Sequence, residues 1–161
     1  MSDKKPKIGV VGAGHLGKHH IKHLSNHSGV EFVGVFDINT ESLKYICSEF
    51  SVNALQSIEE TISSCDAVHI VTPTNTHFDI AKKFLDHKKD VFIEKPITST
   101  VEEASYLINL AKKMGVLFKL VILKDLTPQL IGSKSWLTIH TILKLKDLRH
   151  FKQEELRYRL C

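Results

Sequence analysis

The chain has 161 residues, 42% of them apolar and 25% charged, with a net charge of +4. That suits one domain with a real core, or one domain and a tail. No apolar run approaches the ~18 residues of a bilayer-spanning helix, and the polar start Met1–Lys7 followed by a Gly-rich run does not read as a signal peptide. Three scattered cysteines, Cys47, Cys65 and Cys161, form no disulfide framework and fit a reducing cytoplasm. The charge is uneven: residues 1–118 sum to −1 and residues 119–161 to +5. Such a shift marks a boundary.

In chain order, Lys7–Val11 (KIGVV) is a short apolar run without helical period and reads as a buried strand. Gly12-Ala13-Gly14-His15-Leu16-Gly17 follows, then a helix over His15–His27 with Leu16, Ile21 and Leu24 as its apolar positions. A second strand over Val30–Phe36 ends at Asp37, and a helix over Thr40–Phe50 takes Thr40 as its N-cap. Ser57–Ile62 is a short helix and Ala67–Val71 a third strand. A helix over Thr76–His87 leads to a fourth strand, Asp90–Ile93. Thr98 or Ser99 caps a helix ending at Met114, with Gly115 as its stop, and Val116–Phe118 begins a fifth strand. Strands alternating with helices imply a parallel, doubly wound α/β sheet with right-handed crossovers. Both parities of the strand runs are apolar, as helices on both faces require.

Gly12, Gly14 and Gly17 form G-x-G-x-x-G between a strand and a helix, and an acid, Asp37, stands 20 residues after Gly17. That context is the Rossmann dinucleotide fingerprint. Gly12 permits the tight turn, Gly14 admits the pyrophosphate, and Gly17 lets helix and sheet pack closely. The helix start offers N–H groups and a positive dipole end to phosphate. Asp37 can accept hydrogen bonds from the adenosine ribose and would repel a 2′-phosphate, so NAD is expected over NADP, which remains possible. The same turn also serves non-catalytic nucleotide-binding modules and S-adenosylmethionine-dependent methyltransferases. The histidines at 15, 19, 20, 23 and 27 crowd one helix. His19, His23 and His27 share a face, which reads as exposed; with no cysteine or carboxylate at ligand spacing, no metal is expected.

Two later segments, Thr72-Pro73-Thr74-Asn75-Thr76-His77 and Glu94-Lys95-Pro96, follow the third and fourth strands directly. Ligands in open parallel sheets bind beyond the carboxyl ends of the strands, so both share the rim of the Gly turn. The ordered set GAGHLG, Asp37, VTPTNTH and VFIEKP resembles the Gfo/Idh/MocA oxidoreductases over residues 6 to about 118. The resemblance implies NAD(P)-dependent oxidation or reduction of a sugar- or polyol-like small molecule; the family forms oligomers, a state left open for this chain, and no nucleic-acid or membrane partner is expected. It implies that Lys95 contacts substrate near the nicotinamide and assists proton transfer. It also implies that Thr72, Pro73, Asn75 and His77 line the nicotinamide side and that Pro96 shapes the turn, with a cis peptide as one option. The cofactor set is then Gly12, Gly14, His15, Leu16, Gly17, Asp37, Thr72, Pro73, Asn75, His77, Glu94, Lys95 and Pro96, with Lys95 catalytic. Independently, a lysine in a cofactor cleft is expected to be partly desolvated, which suits proton transfer. Glu94 can pair with Lys95 or cap the next segment.

In that family the fifth strand leads into a segment like QVGHIERFNPA, whereas residues 119–129 here read KLVILKDLTPQ. Codons can be chosen for Phe118–Gln129 that, read from the third base of the first codon, spell QVGHIERFNPA. Ile142–Cys161 recoded the same way give NIEAQRFAPFQARGTKVSVV, similar to the family's continuation. A single lost base near codon 118 is therefore the expected origin of residues 119–161. This is a more economical account of their basic charge than a nucleic-acid-binding tail. Sequencing the gene checks it, and an intact frame for KLVILKDLTPQ in close relatives would overturn it. The expectation is a cofactor domain over 1–118 with an irregular or partly helical tail. Without a second domain to shield the rim, turnover is expected to be weak or absent.

Overall fold

Each strand of this chain presents apolar side chains alternately to two sides, so the sheet needs cover on both. The structure, a computed structural model, describes residues 5–120. Its elements are β1 (Lys7–Val11), α1 (His15–Ser25), β2 (Glu31–Phe36), α2 (Thr40–Phe50), α3 (Ile58–Ser64), β3 (Ala67–Ile70), α4 (Thr74–Asp86), β4 (Asp90–Ile93), α5 (Val101–Met114) and β5 (Phe118–Leu120). The five strands are all parallel, in the order β2-β1-β3-β4-β5. An isolated parallel bridge, Val35 to Ala54, adds a further position outside β2. The basic stretch after residue 120 lies outside the described residues, as does Cys161.

Alternation along the strands sorts side chains into two cores. Ile8, Val10, Val35, Ala67 and Val71 pack with Ile21 and Leu24 of α1 and Ile46 of α2. Val11, Val68, Ile70, Val91 and Ile93 pack with Phe84 and Leu85 of α4 and Leu107 and Ala111 of α5 on the other face. This is the doubly wound arrangement expected from the two-sided apolar strands. Chain order reverses between β1 and β3, where neighbours on either side are reached by crossovers in opposite directions. The carboxyl ends of these two strands flank the crevice where such sheets bind ligands.

Several boundaries differ from expectation, each for a local reason. Asn39, not Thr40, caps α2: its side chain accepts from the Glu41 and Ser42 amides, which leaves Thr40 as the first helical residue. Thr100, not Thr98 or Ser99, caps α5 through a reciprocal capping box with Glu103. Thr98 is buried and its hydroxyl donates to the Thr100 carbonyl oxygen. Helix α4 begins at Thr74 rather than Thr76, because Pro73 sits at its N-cap and needs no N–H partner. Strand β5 runs to Leu120, two residues beyond the expected domain edge. Gly115 ends α5 in the left-handed conformation, as expected.

Cys65 is buried beneath β1, its thiol donating to the Thr61 carbonyl oxygen at 2.7 Å, and burial pushes its pKa up to about 11. The folded state therefore holds this proton more tightly than the unfolded chain does. Stability is predicted to fall as pH rises from 9.0 to about 11, and denaturant midpoints across that range measure it; a Cys65→Ala variant lacks this component of the decline. Phe84 is fully buried between sheet and α5. Phe84→Ala is expected to cost about 3–5 kcal/mol and Thr100→Ala ~1 kcal/mol in chemical unfolding; equal losses would contradict this division between core and cap.

Candidate dinucleotide site

The turn after β1 is built by steric exclusion. Gly12 has φ +112°, and a Cβ there would lie 2.5 Å from the Val71 carbonyl oxygen. Gly17 lies in the first turn of α1, and a Cβ on it would collide with the Gly12 carbonyl oxygen. Helix α1 thus approaches the end of β1 as closely as backbone can. Gly14 differs: it is exposed, and nothing lies within 4 Å of where its Cβ would be. It is the N-cap of α1, with no side-chain cap and no acid in the first turn. The first amides of this helix therefore meet the rim with no side-chain cap and no acidic residue within the first turn. His15 and Leu16 are exposed beside it.

Asp37 follows β2 and ties the turn in place. Its Oδ2 accepts the Ala13 N–H at 2.6 Å and its Oδ1 accepts the Asn39 N–H at 2.7 Å. A carboxylate has about four acceptor positions, so two amide bonds leave capacity for sugar hydroxyls. Ile38 next to it is 91% exposed.

Across the crevice, Thr72 and Pro73 follow β3, and Asn75 and His77 lie in the first turns of α4. Pro73 and Asn75 are exposed, and the Thr76 hydroxyl donates to the Thr72 hydroxyl at 2.7 Å. His77 is 1% exposed. Its Nδ1 lies 2.9 Å from the Pro96 carbonyl oxygen and its Nε2 lies 2.8 Å from that of Thr72. Both ring nitrogens thus face backbone between the two motifs, not the open rim.

Beyond β4 come Glu94, Lys95 and Pro96, and the Lys95–Pro96 peptide is cis. Lys95 is exposed, so the described residues do not supply the enclosure expected for it. Glu94 is buried at 5% and turns inward. Its Oε2 accepts the Lys95 backbone N–H at 3.2 Å, and its Oε1 lies 2.7 Å from His20 Nε2. His20 Nδ1 lies 3.0 Å from Nδ1 of His69 in β3. On the shared face His19 and His23 are exposed, as expected, while His20, off that face, points between sheet and rim. Sequence reasoning missed His20 and His69. The available signal was a polar residue, His69, inside an otherwise apolar buried strand.

All thirteen residues expected at the site fall at the carboxyl edge of the sheet, with Asp37 and Lys95 on one rim because their strands are parallel. A shallow depression lined by Glu59, Lys83, His87 and Lys89 lies at the opposite edge, before β3 and β4. A doubly wound parallel sheet with this glycine turn at its reversal point is a Rossmann domain of the nucleotide-binding type. Comparison with known proteins carries the assignment further. The chain belongs to the Gfo/Idh/MocA oxidoreductase family, whose NAD-binding Rossmann-fold model matches residues 6–121.

Three relatives define the neighbourhood. UDP-N-acetylglucosamine 3-dehydrogenase of Acidithiobacillus ferrooxidans is 35% identical over 122 residues, covering 76% of this chain and 38% of the relative. Its solved structure aligns with a TM-score of 0.66 over 71% of this chain and 37% of that one. Glucose-6-phosphate 3-dehydrogenase of Bacillus subtilis is 31% identical, covering 68% of this chain and 31% of the relative. An inositol 2-dehydrogenase/D-chiro-inositol 3-dehydrogenase of Lacticaseibacillus casei is 34% identical, covering 64% and 31%. The chain thus spans well under half the length of each of these relatives. Among the described residues no helix is long and apolar enough to cross a membrane.

Gly17→Ala is expected to destabilise the fold, because the added methyl meets the Gly12 carbonyl oxygen and α1 must move. Thermal unfolding checks this; a melting temperature equal to the parent's would contradict the close approach of helix and turn.

Proposed function

We propose that this chain is the cofactor-binding part of a cytoplasmic NAD(P)-dependent dehydrogenase acting on a hydroxyl of a sugar- or polyol-like small molecule, with NAD preferred. Family membership and the three dehydrogenase relatives support the reaction class. The observation that carries the cofactor site is the exposed, side-chain-free Gly14 at the uncapped start of α1, beside an Asp37 already bonded to the same turn. A diphosphate seated at Gly14–Gly17 takes the first helical amides, and Asp37 takes the adenosine ribose. The Asp37 charge disfavours a 2′-phosphate. We assign residues 6–120 to this cofactor domain.

Bound there, the nicotinamide supplies the hydride acceptor or donor. This chain's own residues bind and orient. Thr72, Pro73 and Asn75 form one wall of the crevice and the Lys95–Pro96 turn the other, with His77 bridging their backbones. Lys95, exposed at the rim, can donate a hydrogen bond to a substrate hydroxyl and take or return its proton. Water has free access to Lys95 among the described residues. Open solvent of this kind weakens charge interactions at a reacting centre, so cover over this rim is expected to speed turnover.

Calorimetric titration tests this reading. NADH is expected to bind and S-adenosylmethionine not to. Gly14→Ala is expected to weaken NADH at least about tenfold while the fold survives, because alanine is compatible with φ −72° and ψ −169° and its poorer N-cap preference costs only about 1 kcal/mol. Asp37→Ala is expected to narrow the gap between NADH and NADPH. Undiminished NADH affinity in Gly14→Ala would place the diphosphate elsewhere and overturn the proposal.

A further inference from the structure

Glu94 is the residue immediately before Lys95, and both of its carboxylate oxygens are engaged. One holds the Lys95 backbone N–H; the other faces His20 from α1. The His20 and Glu94 side chains are only 9% and 7% exposed. A hydrogen bond this dry meets little competition from water. His69, 7% exposed, meets the far side of the His20 ring and stacks on Phe92, ring centroids 4.8 Å apart. Glu94, His20 and His69 thus form a continuous chain from the lysine turn, through α1, into β3.

For neutral imidazoles beside an ionised carboxylate, one set of donors satisfies this chain. An ionised carboxylate only accepts, so His20 Nε2 carries the proton toward Glu94. A neutral imidazole carries one N–H, so His20 Nδ1 then accepts and His69 Nδ1 donates. Two rings in complementary tautomers lock each other's orientation, as orienting partners do for functional histidines elsewhere.

We propose that His20 is a positioning residue for Lys95. Through Glu94 it sets the lysine turn against α1, the helix whose start receives the cofactor phosphates, and His69 holds the His20 ring in the orientation that does so. The role rests on the Lys95 assignment above. It gives one rigid reference to two groups that must meet across the crevice: the cofactor, held by the start of α1, and the lysine, held by the end of β4. Distance makes the contact specific. His20 lies six residues into α1, and only the close packing enforced at Gly17 lets its ring reach both β3 and Glu94.

The spectra are recorded on the 161-residue chain without cofactor, so that they stand apart from the dinucleotide reading. Long-range proton–nitrogen spectra of the imidazoles at neutral pH are expected to show His20 with its proton on Nε2 and His69 with its proton on Nδ1. The Lys95 amine, dimethylated with 13C and assigned through Lys95→Arg, reports the turn. His20→Gln retains an N–H near the Nε2 position and is expected to keep the parent Lys95 resonance. His20→Leu is expected to move it while NADH affinity stays within about threefold of the parent. Should His20→Leu not fold, His69→Phe, which keeps a ring against Phe92, is expected to move the resonance in the same direction as loss of the His20 contact. A His20 proton on Nδ1, or a Lys95 resonance identical in the parent, His20→Leu and His69→Phe, overturns the inference. Failure of the parent to bind NADH overturns the proposed function instead and leaves these signatures as they are.

Discussion

The contact between the start of α1 and the Gly12 carbonyl oxygen governs the rest of this molecule. Gly17 has no side chain to hold the helix away, so α1 lies against the end of β1 at backbone distance. Three consequences follow from that one approach. The uncapped helix start reaches the crevice where chain order reverses. The Ala13 amide comes within reach of Asp37. His20 is brought over the edge of β3, where it meets His69 and Glu94. A larger residue at position 17 is therefore expected to disturb all three together.

The rim is held together by polar groups buried just beneath it. His77 bridges the backbones of Thr72 and Pro96, Glu94 bridges His20 and the Lys95 amide, and Thr76 bridges to Thr72. Among the described residues no buried side-chain nitrogen or oxygen lacks a partner. Buried polar groups left unpaired cost about 1–3 kcal/mol each, so this satisfied layer favours one arrangement of the two motifs over alternatives. The exposed groups above it (Gly14, Asn75, Lys95) are then the ones left to meet a ligand. In the proposed reading supporting and contacting roles divide by depth, and residues adjacent in sequence such as Glu94 (buried) and Lys95 (exposed) fall on opposite sides of that division.

Much of this was legible in the residues. The alternation of apolar runs with amphipathic segments gave five parallel strands and their helices, because buried parallel strands have no polar parity to obscure them. The glycine spacing and Asp37 located the crevice. Helix starts were read less well: Thr40 and Thr98 are good cap types, but Asn39 and Thr100 stand beside them, and only backbone geometry chooses between adjacent candidates. The inward turn of His20 was hidden by its neighbours, since His19, His23 and His27 share a face that reads as solvated. Likewise, His77 and Glu94 carry polar groups suited to a ligand, and nothing in a linear pattern says that those groups are consumed by backbone and by a histidine from another element.

A diphosphate seated at the start of α1, with the lysine turn across from it, is the proposed centre of this site. Backbone amide spectra of the 15N-labelled chain during an NADH titration measure this most directly. The amides of residues 13–17, Asp37 and Lys95 are expected to shift together with one saturation curve, while those around Glu59 and Lys83 at the opposite edge stay still. Shifts confined to that opposite edge, or none at the glycine turn at saturating NADH, would contradict it.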